Sequence, residues 1–260
     1  MFETLKNYLG VIVYIFIITL LFFSCTSFKI NKKEISKPVT LMFDQKFEKG
    51  ANNFVFLLKE YYVTSESCEN FDPACINALD STASGLVLSS NNNSIFVLTA
   101  SHFCDSKNEL NDMFPNSRII GIAGDRIRSL NIVNQDRKND ICLLQGVKYE
   151  NEKFHNIKLA ETTTIGEDVY AVAAPLGIAA PENRLIFTGQ LAGCNSVICM
   201  TTIPATFGSS GGGIYNSNHE LISIVMAVPG DFDNVILSPS IYVLEEFISH
   251  IDFQIDIYNE

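Results

Sequence analysis

Residues 207–214 place two serines in a glycine-rich turn between two apolar segments. Glycines around Ser210 allow backbone conformations that are closed to other residues, so that its hydroxyl can project outward while neighbouring amide N–H groups converge on one point. Converging amides stabilise the oxyanion that forms when a serine attacks a carbonyl. The pattern therefore indicates a nucleophilic serine, although an ordinary glycine-rich turn has the same composition.

A serine nucleophile needs a general base, and His102 is the histidine best placed to act as one. It follows a β-branched and aromatic run, residues 95–100, that predicts a buried strand. The remaining histidines lie in charged or polar segments or near the end of a predicted helix. We interpret these as structural or solvent-facing: His155, His219 and His250.

A carboxylate that orients the base is expected next, and Asp140 is the first candidate. It lies where the polar loop 136–140 turns into an apolar strand predicted over residues 141–144, so its carboxylate can be buried at the start of that strand. Asp136 in the same loop is the rival. The alternative interpretation of Asp140 is an ordinary turn residue.

In the order His, Asp, Ser, these segments resemble the trypsin-like serine proteases, and most closely the bacterial branch that includes the HtrA proteases. Three segments are similar to the family motifs Thr-Ala-x-His, Asp-[Ile/Leu]-Ala-Leu-Leu and Gly-x-Ser-Gly-Gly: Leu98-Thr99-Ala100-Ser101-His102, Asp140-Ile141-Cys142-Leu143-Leu144 and Gly208-Ser209-Ser210-Gly211-Gly212. Weaker similarities, at residues 84–88, 174–177 and 220–224, extend the resemblance over residues 83–226.

The resemblance implies a role for each of these residues. Ser210 attacks the scissile carbonyl, His102 takes and returns the proton, and Asp140 orients the imidazole. The backbone N–H groups of Gly208 and Ser210 form the oxyanion hole. Ser209 departs from the digestive enzymes, which carry an aspartate there that pairs with a newly cleaved N-terminus. Activation by that route is therefore not expected, and the HtrA branch also lacks this aspartate.

The resemblance also implies a pocket for the substrate residue that precedes the scissile bond. Its walls are the segment before the nucleophile and the strand after it, residues 203–206 and 224–227, and neither carries a charge. We therefore expect a small or apolar substrate residue rather than Arg or Lys. The expected pocket residues are Pro204, Thr206, Val225 and Met226.

The fold class implied by the family is all-β, with two six-stranded antiparallel Greek-key barrels of the chymotrypsin-like kind and a C-terminal helix. The residue pattern agrees, because short strands between turn signals are predicted over residues 118–122, 127–133, 141–144, 169–174, 185–191, 197–202, 214–215 and 221–228. Helical spacing is predicted over residues 240–251, with Ser240 as N-cap.

The expected domain organisation is a signal or anchor segment at 1–25, a tether at 26–45 and a protease domain at 46–260. Within that domain, barrels over residues 46–155 and 160–238 are joined by the polar connector 149–164, and the active site lies in the cleft between them. The length leaves no room for a following PDZ module.

The N-terminus carries a second signal, a nearly unbroken apolar run at residues 9–23 that follows Lys6. This run is short for a membrane-spanning helix and fits a signal peptide. Residues 22–25 resemble a bacterial lipobox, so we predict cleavage before Cys25 and lipidation there, with an uncleaved signal anchor as the alternative. Either places the protein in the cell envelope on the extracytoplasmic side of a membrane; secretion after cleavage is also left open.

The cysteines favour export, because removing Cys25 from the seven leaves an even set. Two pairs would each close a short loop: Cys68 with Cys75, and Cys194 with Cys199. Such local pairings are the simplest of those that six cysteines allow.

The remaining two cysteines, Cys104 and Cys142, lie two residues after His102 and Asp140 respectively. If the histidine and the aspartate meet, these cysteines could be neighbours across strands, and a disulfide between them would pin the two segments. The alternative is a buried free thiol at Cys142, with Cys104 paired elsewhere or reduced.

The net charge of −11 disfavours nucleic acid as a partner, since phosphate binding needs a clustered basic face. No His and Cys spacing indicates a metal site, and no cofactor is implied. The expected activity is that of a serine endopeptidase that cleaves peptide or protein substrates through an acyl-enzyme.

Two other functions stay open. One is an inactive envelope lipoprotein that keeps the fold as a peptide-binding or scaffolding module, against which the complete triad argues. The other is an esterase or other acyl transferase that uses the same site. The α/β-hydrolase elbow is excluded, because its chain order is Ser, acid, His, whereas here the serine comes last.

Overall fold

Six antiparallel strands in the first half of the chain close into a barrel in the order β1-β2-β3-β6-β5-β4. The computed structural model describes residues 47–62, 78–105, 116–178, 184–228 and 235–250. A short helix, α1 (Glu48–Asn53), leads into the barrel. Its strands are β1 (Phe54–Tyr62), β2 (Ala78–Ser90), β3 (Ser94–Ala100), β4 (Asn116–Ala123), β5 (Arg126–Asp136) and β6 (Ile141–Val147).

The second half of the chain forms another six-stranded sheet, in the order β11-β10-β7-β8-β9-β12. Its strands are β7 (Asp168–Ala173), β8 (Leu185–Cys194), β9 (Ile198–Thr201), β10 (Gly213–Asn216), β11 (Leu221–Ile224) and β12 (Ile236–Pro239). The two ends of this sheet meet because Met226 and Ala227 donate backbone hydrogen bonds to Leu237 of β12. The fold class predicted from the sequence, two six-stranded antiparallel barrels and a C-terminal helix, is confirmed.

The C-terminal helix, α3 (Ile241–Ser249), begins where the sequence predicts a cap. The Ser240 hydroxyl accepts a hydrogen bond from Val243 N and donates one to Ser196 O. The apolar face of the helix, including Leu244 and Phe247, packs into the core. Within the described residues, no helix is long and apolar enough to cross a membrane.

The core continues from one barrel into the other. Phe54, Leu86 and Leu98 of the first barrel belong to the same buried cluster as Tyr170 and Tyr215 of the second, whose rings stack with their centroids 5.1 Å apart. This shared apolar layer holds the ends of β3, β6 and β7 close to the loop before β10. His102 follows the end of β3, Asp140 precedes the start of β6, and Ser210 lies in the loop before β10.

Candidate active site

The His102 and Asp140 side chains meet at the rim of the first barrel. His102 Nδ1 lies 2.8 Å from Asp140 Oδ2, and the backbone N–H of His102 donates to Asp140 Oδ1 at 2.7 Å. The aspartate therefore holds both the ring and the backbone of the histidine. Because the carboxylate accepts the proton on Nδ1, the other ring nitrogen, Nε2, is left as the basic atom.

Strand register explains why these residues meet. Ala100 at the end of β3 pairs with Ile141 at the start of β6, so the chain after one and before the other run side by side. The chain after β3 forms a helical turn, α2 (Ser101–Cys104), whose Ser101 N–H donates to Asp140 O at 3.1 Å. Asp140 itself has a left-handed backbone, φ +56°, which aspartate tolerates better than most residues.

Asp136, the rival acid of the sequence, has a different task. Its Oδ1 accepts the backbone N–H groups of Lys138 and Asn139, at 2.9 and 3.1 Å, and its Oδ2 accepts from Asn139 Nδ2. Asp136 therefore caps the turn that delivers Asp140 to the histidine.

Two side chains that the sequence analysis did not single out hold the turn that bears His102. Lys59 Nζ donates to the carbonyls of Phe103 and Asp105. Gln135 Nε2 lies within hydrogen-bond distance of the carbonyl and the hydroxyl of Ser101 and of the Asp105 carboxylate. Lys59 in the interior of an apolar strand is a signal that could have pointed to this role, whereas Gln135 gives none.

The electrostatics of the site favour a charged imidazole. The hydrogen bond that His102 Nδ1 donates to Asp140 raises the pKa of His102 above its usual value near 6.5, although partial burial acts in the opposite direction. The ring is accessible, since 53% of the His102 side chain is exposed against 18% for Asp140. The imidazole of His102 therefore has a raised pKa and remains accessible to a ligand.

A disulfide ties the base and acid segments together. Cys104 and Cys142 are bonded across 38 residues, with their Cα atoms 6.6 Å apart, and both are buried. Cys194 and Cys199 are also bonded, at the β8–β9 hairpin. The pair Cys68 and Cys75, like Cys25 and the predicted N-terminal segments, lies outside the described residues.

The serine loop, residues 206–212, requires glycine at Gly208. Its φ is +88°, and a Cβ there would lie 2.5 Å from the carbonyl oxygen of Ala174. The loop is close to the turn after β7, where Leu176 N donates to Phe207 O. The Ser209 side chain, where digestive enzymes carry an aspartate, turns into its own loop and accepts from Thr206 N at 3.3 Å.

The peptide bonds of this loop orient the two N–H groups predicted to form an oxyanion hole. In a trans peptide the N–H points away from the preceding carbonyl. The carbonyl of Phe207 is bound by Leu176, so the N–H of Gly208 points to the opposite side. Among the described residues, neither this N–H nor that of Ser210 has a hydrogen-bond acceptor. Two backbone donors are thus available to a ligand.

Two cavities meet at the histidine and the serine. One, of ≈ 500 Å³, is lined by His102, Gly208 and Ser210 together with polar residues of β1 and β2. The other, of ≈ 410 Å³, is lined by His102, Asp140 and Ser210 and by a mainly apolar wall. Phe207, 87% exposed, lines both. Ser210 has no side-chain hydrogen bond to any described residue, so its hydroxyl is open to the cleft.

The second cavity contains three of the four residues that were predicted to form a substrate pocket. Thr206, Val225 and Met226 line it, together with Ala205 and Val228. Pro204 is exposed and is not among the lining residues, because its neighbour Ile203 is the residue that turns into the core. Apart from His102 and Asp140, none of the described residues that line it is charged.

The other histidines are engaged elsewhere. The His155 backbone N–H donates to Asn53, His219 lies against Tyr170, and His250 contacts the carbonyl of Glu246. Within the described part of the chain, no group of three or more His, Cys, Asp or Glu residues is placed to hold a metal ion.

Comparison with known proteins agrees with this geometry. The family model of the trypsin-like peptidase domain matches residues 83–224, more than half of the chain. No curated protein gives a significant match. The serine endoprotease from Yersinia pestis has a similar fold, with a TM-score of 0.58, 18% identity and coverage of 82% of this chain and 67% of that one. The active form of a protease from M. tuberculosis also has a similar fold, with a TM-score of 0.59, 15% identity and coverage of 80% of this chain and 84% of that one. The chain belongs to the trypsin-like peptidase domain family.

Proposed function

We propose that this protein is a serine endopeptidase that uses Ser210 as nucleophile, His102 as general base and Asp140 as the residue that orients the base. The observation that carries the proposal is the convergence at one cleft of an oriented imidazole, an open serine hydroxyl and two unpaired backbone N–H groups. A structural role needs none of these groups to be left free.

In the proposed reaction, His102 Nε2 removes the proton from Ser210 as the hydroxyl attacks the substrate carbonyl. The oxyanion accepts hydrogen bonds from the N–H groups of Gly208 and Ser210, and the imidazolium is stabilised by Asp140. His102 then gives this proton to the leaving amine as the C–N bond breaks. The acyl group stays on Ser210 as an acyl-enzyme. Water, activated by the same histidine, releases the acid and restores the serine.

The substrate residue before the scissile bond is proposed to be small or apolar. The ≈ 410 Å³ cavity offers a mainly apolar wall that contains Val225, Met226 and Val228, and Asp140 is the one acid among the described residues that line it. A substrate lysine or arginine would be desolvated there without a partner of its own. Hydrolysis of a peptide library is expected to favour aliphatic residues at this position and to discriminate against Lys and Arg.

The proposal includes a place for the enzyme. The apolar N-terminal run and the lipobox-like residues 22–25 support anchoring through a lipid on Cys25 to the outer side of a membrane, with a signal anchor as the alternative. Cys25→Ser is expected to abolish incorporation of labelled fatty acid in bacterial cells. Unchanged incorporation would contradict lipidation at this residue.

The alternative, an inactive peptide-binding module, is separated from the protease by one experiment. The full chain, purified in detergent with its disulfides oxidised, is treated with a fluorophosphonate probe. Labelling is expected in the wild type and in Ser217→Ala, which removes a serine at the exposed tip of the β10–β11 hairpin. Loss of labelling is expected in Ser210→Ala and His102→Ala. A folded wild-type protein that does not label would favour the binding module.

A further inference from the structure

Ser84 in β2 is completely buried, and its polar atoms bind three separate parts of the proposed active site. Its N–H donates to Ser210 O at 2.8 Å, and its carbonyl accepts from Thr99 Oγ1 at 2.7 Å. Its hydroxyl donates to Gly208 O at 2.8 Å and accepts from Ala174 N at 2.8 Å. One side chain of the first barrel thus connects two segments of the second.

These bonds fix the peptides that follow the two residues whose N–H groups are free. The orientation of Gly208 is set by the peptides on its two sides, and the carbonyls of both are bound, the first by Leu176 N and the second by the Ser84 hydroxyl. The N–H of Ser84 holds the carbonyl of Ser210 in the same way. Gly208 has no side chain that could bind its own carbonyl, and the hydrogen bond to this carbonyl comes from Ser84.

We propose that Ser84 is a positioning residue that keeps the oxyanion hole open, an inference that rests on the proposed function. Without its hydroxyl, the carbonyl of Gly208 and the N–H of Ala174 would be buried and unpaired. Rotation of the Gly208 peptide would relieve this, since glycine allows either orientation. The same rotation would break the hydrogen bond from Ser209 N to Thr206 O, so the segment between the two free N–H groups would lose its conformation.

The matched control is Ser240, at the start of α3. It is also completely buried, and its hydroxyl likewise donates to one carbonyl, Ser196 O at 2.7 Å, and accepts from one backbone N–H, Val243 N at 3.3 Å. It binds no part of the serine loop. Ser240→Ala therefore removes the same kind of group at a similar burial without changing the proposed hole.

The test measures kcat, KM and the rate of fluorophosphonate labelling on the folded full chain. Loss of one oxyanion donor lowers kcat by about 10²- to 10³-fold, so Ser84→Ala is expected to lower kcat and labelling by about 100-fold with little change in KM. The pH dependence that reports His102 is expected to stay in place. Ser240→Ala is expected to keep the wild-type kcat, and Ser84→Cys, which retains a weak donor of similar size, to recover part of the loss.

Each result decides between distinct conclusions. Wild-type labelling together with a Ser84→Ala rate within threefold of wild type overturns the role of Ser84 and leaves the protease intact. An equal loss of kcat in Ser240→Ala also overturns it, because the effect would then reflect general destabilisation. Absence of labelling in the wild type overturns the proposed function itself. If Ser84→Ala does not fold, as judged by its thermal transition, the same measurements on Ser84→Cys decide.

Discussion

The two halves of the candidate site are held in different ways. His102 and Asp140 come from one barrel and are fixed by two hydrogen bonds to one carboxylate, by a disulfide two residues further along each segment and by Lys59 beneath the turn. Ser210 lies in a glycine-rich loop of the other barrel, and hydrogen bonds from Leu176 and Ser84 restrain that loop. The His102 segment is thus held by hydrogen bonds and a covalent cross-link, whereas the loop that would bind the oxyanion is held by hydrogen bonds alone.

The largest loss of activity is expected at the His102–Asp140 pair, from Asp140→Asn. The amide nitrogen can donate to Nδ1, which places the ring proton on Nε2 and leaves the wrong tautomer, so kcat is expected to fall by about 10⁴-fold. Asp140 raises the pKa of His102, and the base acts only when neutral. The acid limb of kcat/KM against pH, above 6.5 in the wild type, is therefore expected to move to lower pH.

The control for this change is Asp136→Asn, which alters the neighbouring cap and leaves the carboxylate that touches the ring. Its acid limb should coincide with that of the wild type. An acid limb that shifts in Asp136→Asn, or that does not shift in Asp140→Asn, would contradict the assignment of Asp140 as the partner of His102.

A smaller loss of activity is expected in the serine loop, from Gly208→Ala. The added Cβ would lie 2.5 Å from Ala174 O at a φ of +88°, so the peptide has to rotate and one oxyanion donor is lost. We expect kcat to fall by about 10²- to 10³-fold, with the acid limb unchanged. Gly124→Ala is the control, because Gly124 also has a positive φ, +58°, but open space around it. Equal losses of kcat in the two variants would refute the oxyanion argument.

The smallest effect on activity is expected from removing the disulfide beside the base. Replacing Cys104 and Cys142 with alanine opens a loop of 38 residues, which lowers the free energy of unfolding by about 4 kcal/mol in the chain-entropy model. Because the hydrogen bonds to Asp140 remain, kcat should fall only a few-fold.

The hairpin disulfide gives the comparison for that measurement. Cys194 and Cys199 are five residues apart, so the same double replacement is expected to lower the free energy of unfolding by about 2 kcal/mol, with kcat unchanged. Denaturant unfolding and kcat are measured on both double variants. A larger loss of activity from the hairpin pair would contradict a local role for the Cys104–Cys142 bond.

Local sequence patterns predicted most of the scaffold. The apolar run before His102 forms β3, and Ser240 caps the C-terminal helix. In both cases the residues that determine the element lie in it or directly beside it in the sequence. The predicted strand over residues 221–228 ends earlier, at Ile224, and continues only as a bridge at Ala227.

Elements that depend on distant partners were missed. The strand β1 has charged residues in its interior, Lys59 and Glu60, whose partners are the turn after β3 and Arg118 of β4. The strand β12 ends in Pro239, which weakens a strand pattern. The hydroxyl of Ser84 is 124 residues from the carbonyl it binds. The bond of Ser84 exists only after the two barrels have packed, and the contacts of β1 exist only after the first barrel has closed.

The division between the barrels also sets an order in time. His102, Asp140 and their disulfide all lie within the first barrel, whose last strand ends at Val147. Ribosomes extend a chain by about 5–20 residues per second, so Ser210 is made several seconds after Cys142. A growing chain therefore contains His102 and Asp140 before it contains Ser210, and the Ser84 hydroxyl can bind Gly208 only once the second barrel is made. With Ser210 as nucleophile, synthesis itself delays the first cleavage until the protein is nearly complete.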